Sequence, residues 1–207
     1  MKYIFVAGTP GSKWSSVTKN IYYSPDIDRS DYSDARTYYH DAPGTMQLMH
    51  MGAYFDPGME FGKHLHRMPA YTKEQLEQDF DEAFAGREGI RIIKSHVFSD
   101  HIDFIKATWP ECPVVLVHRP DDACLGWWVK CGHFNITYPD YAEYYKDLKT
   151  MATIIQQQNA GILAATRKYA GLVPANNQML CNTLGITIPP AEYFQDYESA
   201  DISVTLI

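Results

Sequence analysis

A short apolar run, Tyr3-Ile4-Phe5-Val6-Ala7, passes directly into Gly8-Thr9-Pro10-Gly11-Ser12 and Lys13, after which Trp14 to Tyr23 suits a helix. Five consecutive apolar residues bounded by turn signals read as a strand buried on both faces. Glycine and proline together then impose a tight turn. A strand, a tight turn and a helix N-terminus in that order aim backbone N–H groups and one lysine at a single point. Such a point attracts phosphate or sulfate, because the first N–H groups of a helix lack partners and its dipole favours negative charge.

The pattern recurs along the chain. Thr72 with Gln75 three residues later forms a capping box, and Leu76, Phe80, Ala83 and Phe84 then share a helical face, with Gly86 as the expected stop. Ile90 to Ile93 read as a second strand ending in Lys94-Ser95-His96, and a short helix is expected from Ser99 through Ile102 and Ile105 to Thr108. Val114 to Val117 read as a third strand, ending in His118-Arg119-Pro120, with Pro120 in the first turn of the next helix. A long helix is predicted from about Asp140 to Tyr169, with Tyr141, Tyr144, Tyr145, Leu148, Met151, Ala152 and Ile155 on one stripe and Gly171 and Pro174 ending it. Gln178 to Leu184 form a last short helix stopped by Gly185, and Ile202, Val204, Leu206 and Ile207 read as an edge strand or a loose tail.

Alternating strands and helices imply an α/β fold of three layers, with a mainly parallel central sheet flanked by helices. Ligands in such sheets bind at the carboxyl ends of the strands. Here the three best strands end in Gly8–Lys13, Lys94-Ser95-His96 and His118-Arg119. Each end brings positive charge or anion-binding backbone to one rim.

The 207 residues suit a single domain spanning 1–207. It carries an irregular, aromatic-rich insertion at about 24–71, including Tyr32, Tyr38, Tyr39, Tyr54, Phe55, Phe61 and Tyr71. A formal net charge of −7 argues against a general nucleic-acid binder. The first strand leaves no room for a signal peptide, and no apolar run reaches the roughly 18 residues that span a bilayer. With Cys112, Cys124, Cys131 and Cys181 lacking any CxxC pairing, free thiols in a reducing cytoplasm are the expectation. His64 and His66 are spaced for a metal but no cysteine or carboxylate completes a site, so they read as a solvated loop pair.

The loop does not match the nucleoside-triphosphate pattern GxxxxGK[ST]. Ser12 precedes Lys13, Trp14 follows it, and Gly8 stands one residue too close. The later strands also end in basic residues where a metal–triphosphate enzyme places an acidic one. The loop Thr9-Pro10-Gly11-Ser12-Lys13-Trp14-Ser15-Ser16 resembles instead the P-K-S-G-T-T loop of sulfotransferases that use 3′-phosphoadenosine 5′-phosphosulfate (PAPS). Ile92-Ile93-Lys94-Ser95-His96 resembles that family's K-T-H strand end, and Val114 to Asp122 resembles its strand–arginine–helix element for the 3′-phosphate. Leu180 to Ile186 is similar to its C-terminal Leu-Gly helix. The specific motifs cover about thirty residues of a chain that is otherwise divergent.

The resemblance implies a P-loop nucleoside-triphosphate-hydrolase-like fold and a metal-independent enzyme. It would move a sulfuryl group from PAPS to a hydroxyl or amine, releasing adenosine 3′,5′-bisphosphate. On that reading Thr9 to Ser16 hold the 5′-phosphosulfate, Lys13 and Lys94 offset charge, Arg119 grips the 3′-phosphate and His96 is the base. Tyr54, Phe55 and Phe61 are the candidates for an acceptor pocket, with a small molecule, glycan or peptide as acceptor; Glu60 and His50 are alternative bases. Three departures stand out. The family lysine directly follows the proline, where this chain has Gly11. Its serine eight residues after the arginine is Trp127 here, and only Arg167-Lys168-Tyr169 resembles its late R-K-G loop. A kinase with a degenerate phosphate loop and a non-catalytic nucleotide-binding homologue remain as alternatives.

Overall fold

The computed structural model describes residues 1–31, 53–57, 59, 61–86, 88–130, 146–193 and 201–207. Strand β1 (Tyr3–Gly8) is buried at every position, as its unbroken apolar run demands. It is an interior strand of a four-stranded sheet in the order β2-β1-β3-β4. β2 (Arg91–Ser95) and β3 (Val114–His118) both run parallel to it. β4 (Ser203–Leu206) closes the other side antiparallel to β3, so the tail is an edge strand. The result is an α/β structure with a mostly parallel open sheet flanked by helices. Among the described residues no helix is long and apolar enough to cross a membrane.

Side-chain alternation sorts the core into two layers. Ile4, Val6, Ile92, Val115 and Val117 face one way, against α1 (Trp14–Tyr22), α4 (Asp121–Lys130) and α6 (Asn177–Leu184). Tyr3, Phe5, Ala7, Ile93, Val114 and Leu116 face the other way, against α2 (Lys73–Asp81) and α3 (Ile102–Thr108). Phe5 lies at the centre of an aromatic cluster, with ring centroids 5.8 Å from Phe80, 5.7 Å from Phe98 and 5.2 Å from Trp109. α5 (Leu148–Tyr169) serves both layers, through Met151 and Ile155 on one side and Ile162 and Ala165 on the other.

The capping box at Thr72 and Gln75 is present, but α2 ends at Asp81. Gly86 is left-handed at φ +71° and lies beyond the helix end, in the turns that follow it. His96 leaves the strand and opens a 3₁₀ turn, His96–Asp100, which takes the first residues expected of the α3 helix. α5 starts eight residues later than its hydrophobic stripe suggests, because Asp147 adopts an extended conformation and its carboxylate caps Thr150 N–H. Leu148 consequently stands exposed at the first turn, whereas Tyr141, Tyr144 and Tyr145 lie outside the described residues.

Gly161 of α5 lies where a methyl group would come within 2.6 Å of the Ser99 carbonyl, in the turn headed by His96. An ordinary Gly→Ala change inside a helix stabilises by about 1 kcal/mol. Here we predict the opposite sign for Gly161→Ala: overpacking of about 1–3 kcal/mol, read as a melting temperature lowered by about 5 °C.

Candidate functional site

In the order β2-β1-β3, the chain leaves β1 toward one edge and returns to β3 on the other side, which creates a crevice at the carboxyl ends of β1 and β3. The loop after β1 fills its mouth. Ser12 N–H donates to Thr9 O (3.0 Å) across Pro10-Gly11, and Gly11 has φ +78°. Proline then glycine at the two central positions, with positive φ at the second, is the signature of a type II turn. Lys13 follows in the left-handed region (φ 59°, ψ 24°) at the N-cap of α1. Two left-handed residues within three positions make the backbone concave, a shape suited to anions.

Two glycines let the loop curl this tightly. A methyl group on Gly8 would come within 2.9 Å of both Ser12 Oγ and Trp14 Cβ. On Gly11 it would fall 2.0 Å from the Cys124 carbonyl oxygen of α4. The loop therefore rests on the α4 backbone. Arg119 reinforces this seat, donating from Nη1 to Gly11 O (3.2 Å) and Ala123 O (3.0 Å). Thr9 is fully buried, its hydroxyl 3.4 Å from Cys124 Sγ. Asn159 of α5 holds the Arg119 carbonyl from below at 2.8 Å. Ser12 Oγ is buried and makes no hydrogen bond among the described residues. A buried hydroxyl left unpartnered is costly, and this one sits inside the curl of the loop.

His96 borders the loop on the β2 side. It is 3% exposed, stacked on Trp14 (centroids 4.3 Å apart, 24° between planes) and edge-on to Tyr54 (5.6 Å, 84°). Its Nδ1 bonds to the Gly8 carbonyl. A carbonyl can only accept, so Nδ1 carries the proton and Nε2 holds the lone pair. Burial drives the imidazole pKa down to about 3, with the Gly8 bond pulling weakly the other way. Lys94 is 1% exposed, and alternation along β2 puts it on the Ile92 face, the same layer as Trp14 and Tyr54.

The buried Asp56 fixes the strand end. It accepts the Ser95 hydroxyl (2.7 Å) and the His96 N–H (3.2 Å) on one carboxylate oxygen. Phe55 N–H meanwhile donates to Lys94 O at 3.1 Å. The sequence reading missed Asp56; the only signal was an aspartate closing the apolar step Ala53-Tyr54-Phe55.

The predicted residues thus separate. Loop residues 9–16, His96, Lys94, Arg119 and Tyr54 come together at one rim. Phe55 does not join them: it is wholly buried, with its ring against Phe61 (5.7 Å) and Phe80 (6.1 Å), in the core layer on the opposite side of the sheet. Phe61 packs against the same layer. Arg167-Lys168-Tyr169 lies at the far end of α5, beyond which Leu172 bridges Leu206, and Lys168 and Tyr169 both bond to Asp103. Lys13 Nζ lies 4.3 Å from the centroid of the Trp127 ring. Cys112, Cys124 and Cys181 are free and buried. His50, Glu60 and Cys131 lie outside the described residues. Comparison with protein-family models, with curated proteins and with solved structures gives no match to this chain.

His96 also sets an acid limit on stability. Its folded pKa lies below that of an unfolded histidine, so between about pH 6.5 and 3 the unfolded chain binds a proton that the fold excludes, and stability falls as pH falls. The loss reaches about 2 kcal/mol by pH 5. His66 and His118, also lowered by burial, act in the same direction. In denaturant melts, His96→Gln should flatten the slope of stability against pH between 6.5 and 5 relative to wild type. An unchanged slope would show that His96 protonates freely in the fold.

Proposed function

We propose that this chain is an enzyme that transfers a sulfuryl group from PAPS to a hydroxyl or amine acceptor, with the donor held by the Gly8–Ser16 loop. The observation that carries the reading is the bond between His96 Nδ1 and Gly8 O. It joins the first residue of the anion cradle to an imidazole whose other nitrogen is left as a proton acceptor. The cradle also suits the donor by composition. It offers the buried Ser12 hydroxyl, the N-terminus of α1 and two nearby cations, Lys13 and Arg119.

In the reaction the acceptor oxygen or nitrogen bonds to sulfur while the bond from sulfur to the bridging phosphate oxygen breaks. The acceptor's proton passes to His96 Nε2, and adenosine 3′,5′-bisphosphate leaves. A neutral imidazole is ready for that proton at any working pH, although a low pKa makes it a weak base. An incoming polyanion beside it favours the imidazolium and raises its basicity. Ser12 and the α1 N-terminus stabilise charge on the donor by fixed dipoles. Arg119 is already bonded to Gly11, so its remaining guanidinium N–H groups are the ones that face an anion. Tyr54 is the aromatic at this rim and the candidate for contact with the acceptor.

Calorimetric titration tests the reading. Adenosine 3′,5′-bisphosphate should bind, and ATP with Mg²⁺ should bind at least tenfold more weakly. Arg119→Ala should weaken the bisphosphate by one to two orders of magnitude, the range for loss of charge-assisted bonds. His96→Ala should keep the bisphosphate affinity within about threefold and lose at least a hundredfold in turnover. Absence of bisphosphate binding to wild type would sink the proposal, and tight Mg²⁺-dependent ATP binding would redirect it to a kinase.

A further inference from the structure

Trp127 stands on α4 two turns beyond the seat of the loop, and it gathers positive charge. Lys13 Nζ lies 4.3 Å from its ring centroid and Lys130 Nζ 5.6 Å. Both distances are within the range at which a ring quadrupole attracts a cation. Lys13 is also held from the other end, since its backbone occupies the left-handed region that few side-chain-bearing residues adopt.

We infer that Trp127 is a positioning residue for Lys13, docking its ammonium so that the loop presents a fixed rather than a wandering charge to a phosphate- or sulfate-class anion. Lysine's long stem otherwise loses considerable rotamer freedom when it engages a ligand. A carboxylate could fix the stem too, but it would cancel the charge that an anion needs. An aromatic face holds the ammonium through its electrons and leaves the charge and N–H donors available to a ligand. Lys130, one turn along α4 from Trp127, adds positive potential on the same ring. The inference rests on reading the loop as an anion site, and it gives a role to the residue standing where the resembled loop-and-arginine pattern has a serine.

The experiment uses the full chain as wild type, Trp127→Leu, Trp127→Phe, Lys13→Met and Trp127→Leu/Lys13→Met. In ligand-free, lysine-labelled protein, the ε-methylene protons of Lys13, identified by their loss in Lys13→Met, should be displaced upfield by the ring. That displacement should persist in Trp127→Phe and vanish in Trp127→Leu. Affinity for adenosine 3′,5′-bisphosphate should fall about tenfold in Trp127→Leu and no more than about twofold in Trp127→Phe. Trp127→Leu should have no further effect once Lys13 is Met. Unshifted Lys13 protons in wild type overturn the inference, as does a Trp127→Leu effect that survives undiminished in the Lys13→Met background. If wild type binds no bisphosphate, the proposed function fails, and the ligand-free shifts alone decide whether Trp127 positions Lys13.

Discussion

Everything at the rim depends on the loop after β1 lying directly on the backbone of α4. There is no room between Gly11 and the Cys124 carbonyl for even one methyl group, so the loop cannot ride higher. Once it is seated there, Arg119 reaches the Gly11 carbonyl, Thr9 meets the Cys124 thiol, and the Lys13 stem extends over α4 to Trp127. Each contact is modest, and each uses an atom whose position the seat has already set. α4 is in turn held from beneath by Asn159, whose amide donates to the carbonyl of Arg119 and the carboxylate of Asp121.

The rim also concentrates polar groups that a core normally excludes. Asp56, Lys94, Ser95 and His96 are all buried within one short stretch of space. Burying such groups without partners costs several kcal/mol each, and the fold limits the cost in two ways. Asp56 gathers the Ser95 hydroxyl and the His96 N–H on one oxygen, and His96 stays neutral between the Trp14 face and the Tyr54 edge. Polar groups held this closely are preorganised, which makes them useful to chemistry and unforgiving of substitution.

Much of this architecture was legible in the residues. Tyr3–Ala7 and Val114–Val117 could only be buried strands, the Pro10-Gly11 pair announced its turn, and Thr72 with Gln75 announced its capping box, because each signal is local. Boundaries set by competition were harder. The stripe leading into α5 ran back beyond Asp147, where a capping carboxylate overrode hydrophobic periodicity. The gathering of loop, His96 and Arg119 at one rim followed from the parallel-sheet rule. The roles of Asp56, Cys124 and Trp127 did not, because each acts on a partner far away in the sequence and has no local spacing to betray it. The division between Tyr54 and Phe55 shows the same limit. They are adjacent in the chain, yet one meets His96 and the other the Phe80 cluster, and only the twofold alternation of extended backbone separates them.

The pairing pattern of β1 carries a consequence for how the molecule forms. Tyr3 is matched with Arg91 and Phe5 with Val114, while β3 is matched with the last strand, Val115 with Leu206. No strand pairs with one near it in the sequence, so the sheet is assembled only by closing long loops. Such topologies fold slowly. During that interval the six residues of β1, all of which end up buried, remain an apolar, strand-prone segment without a partner. Segments of this kind pair readily with other chains. Yield on refolding should therefore be governed by protein concentration more than by final stability, and the strand that positions the candidate site is also the chain's main route to aggregation.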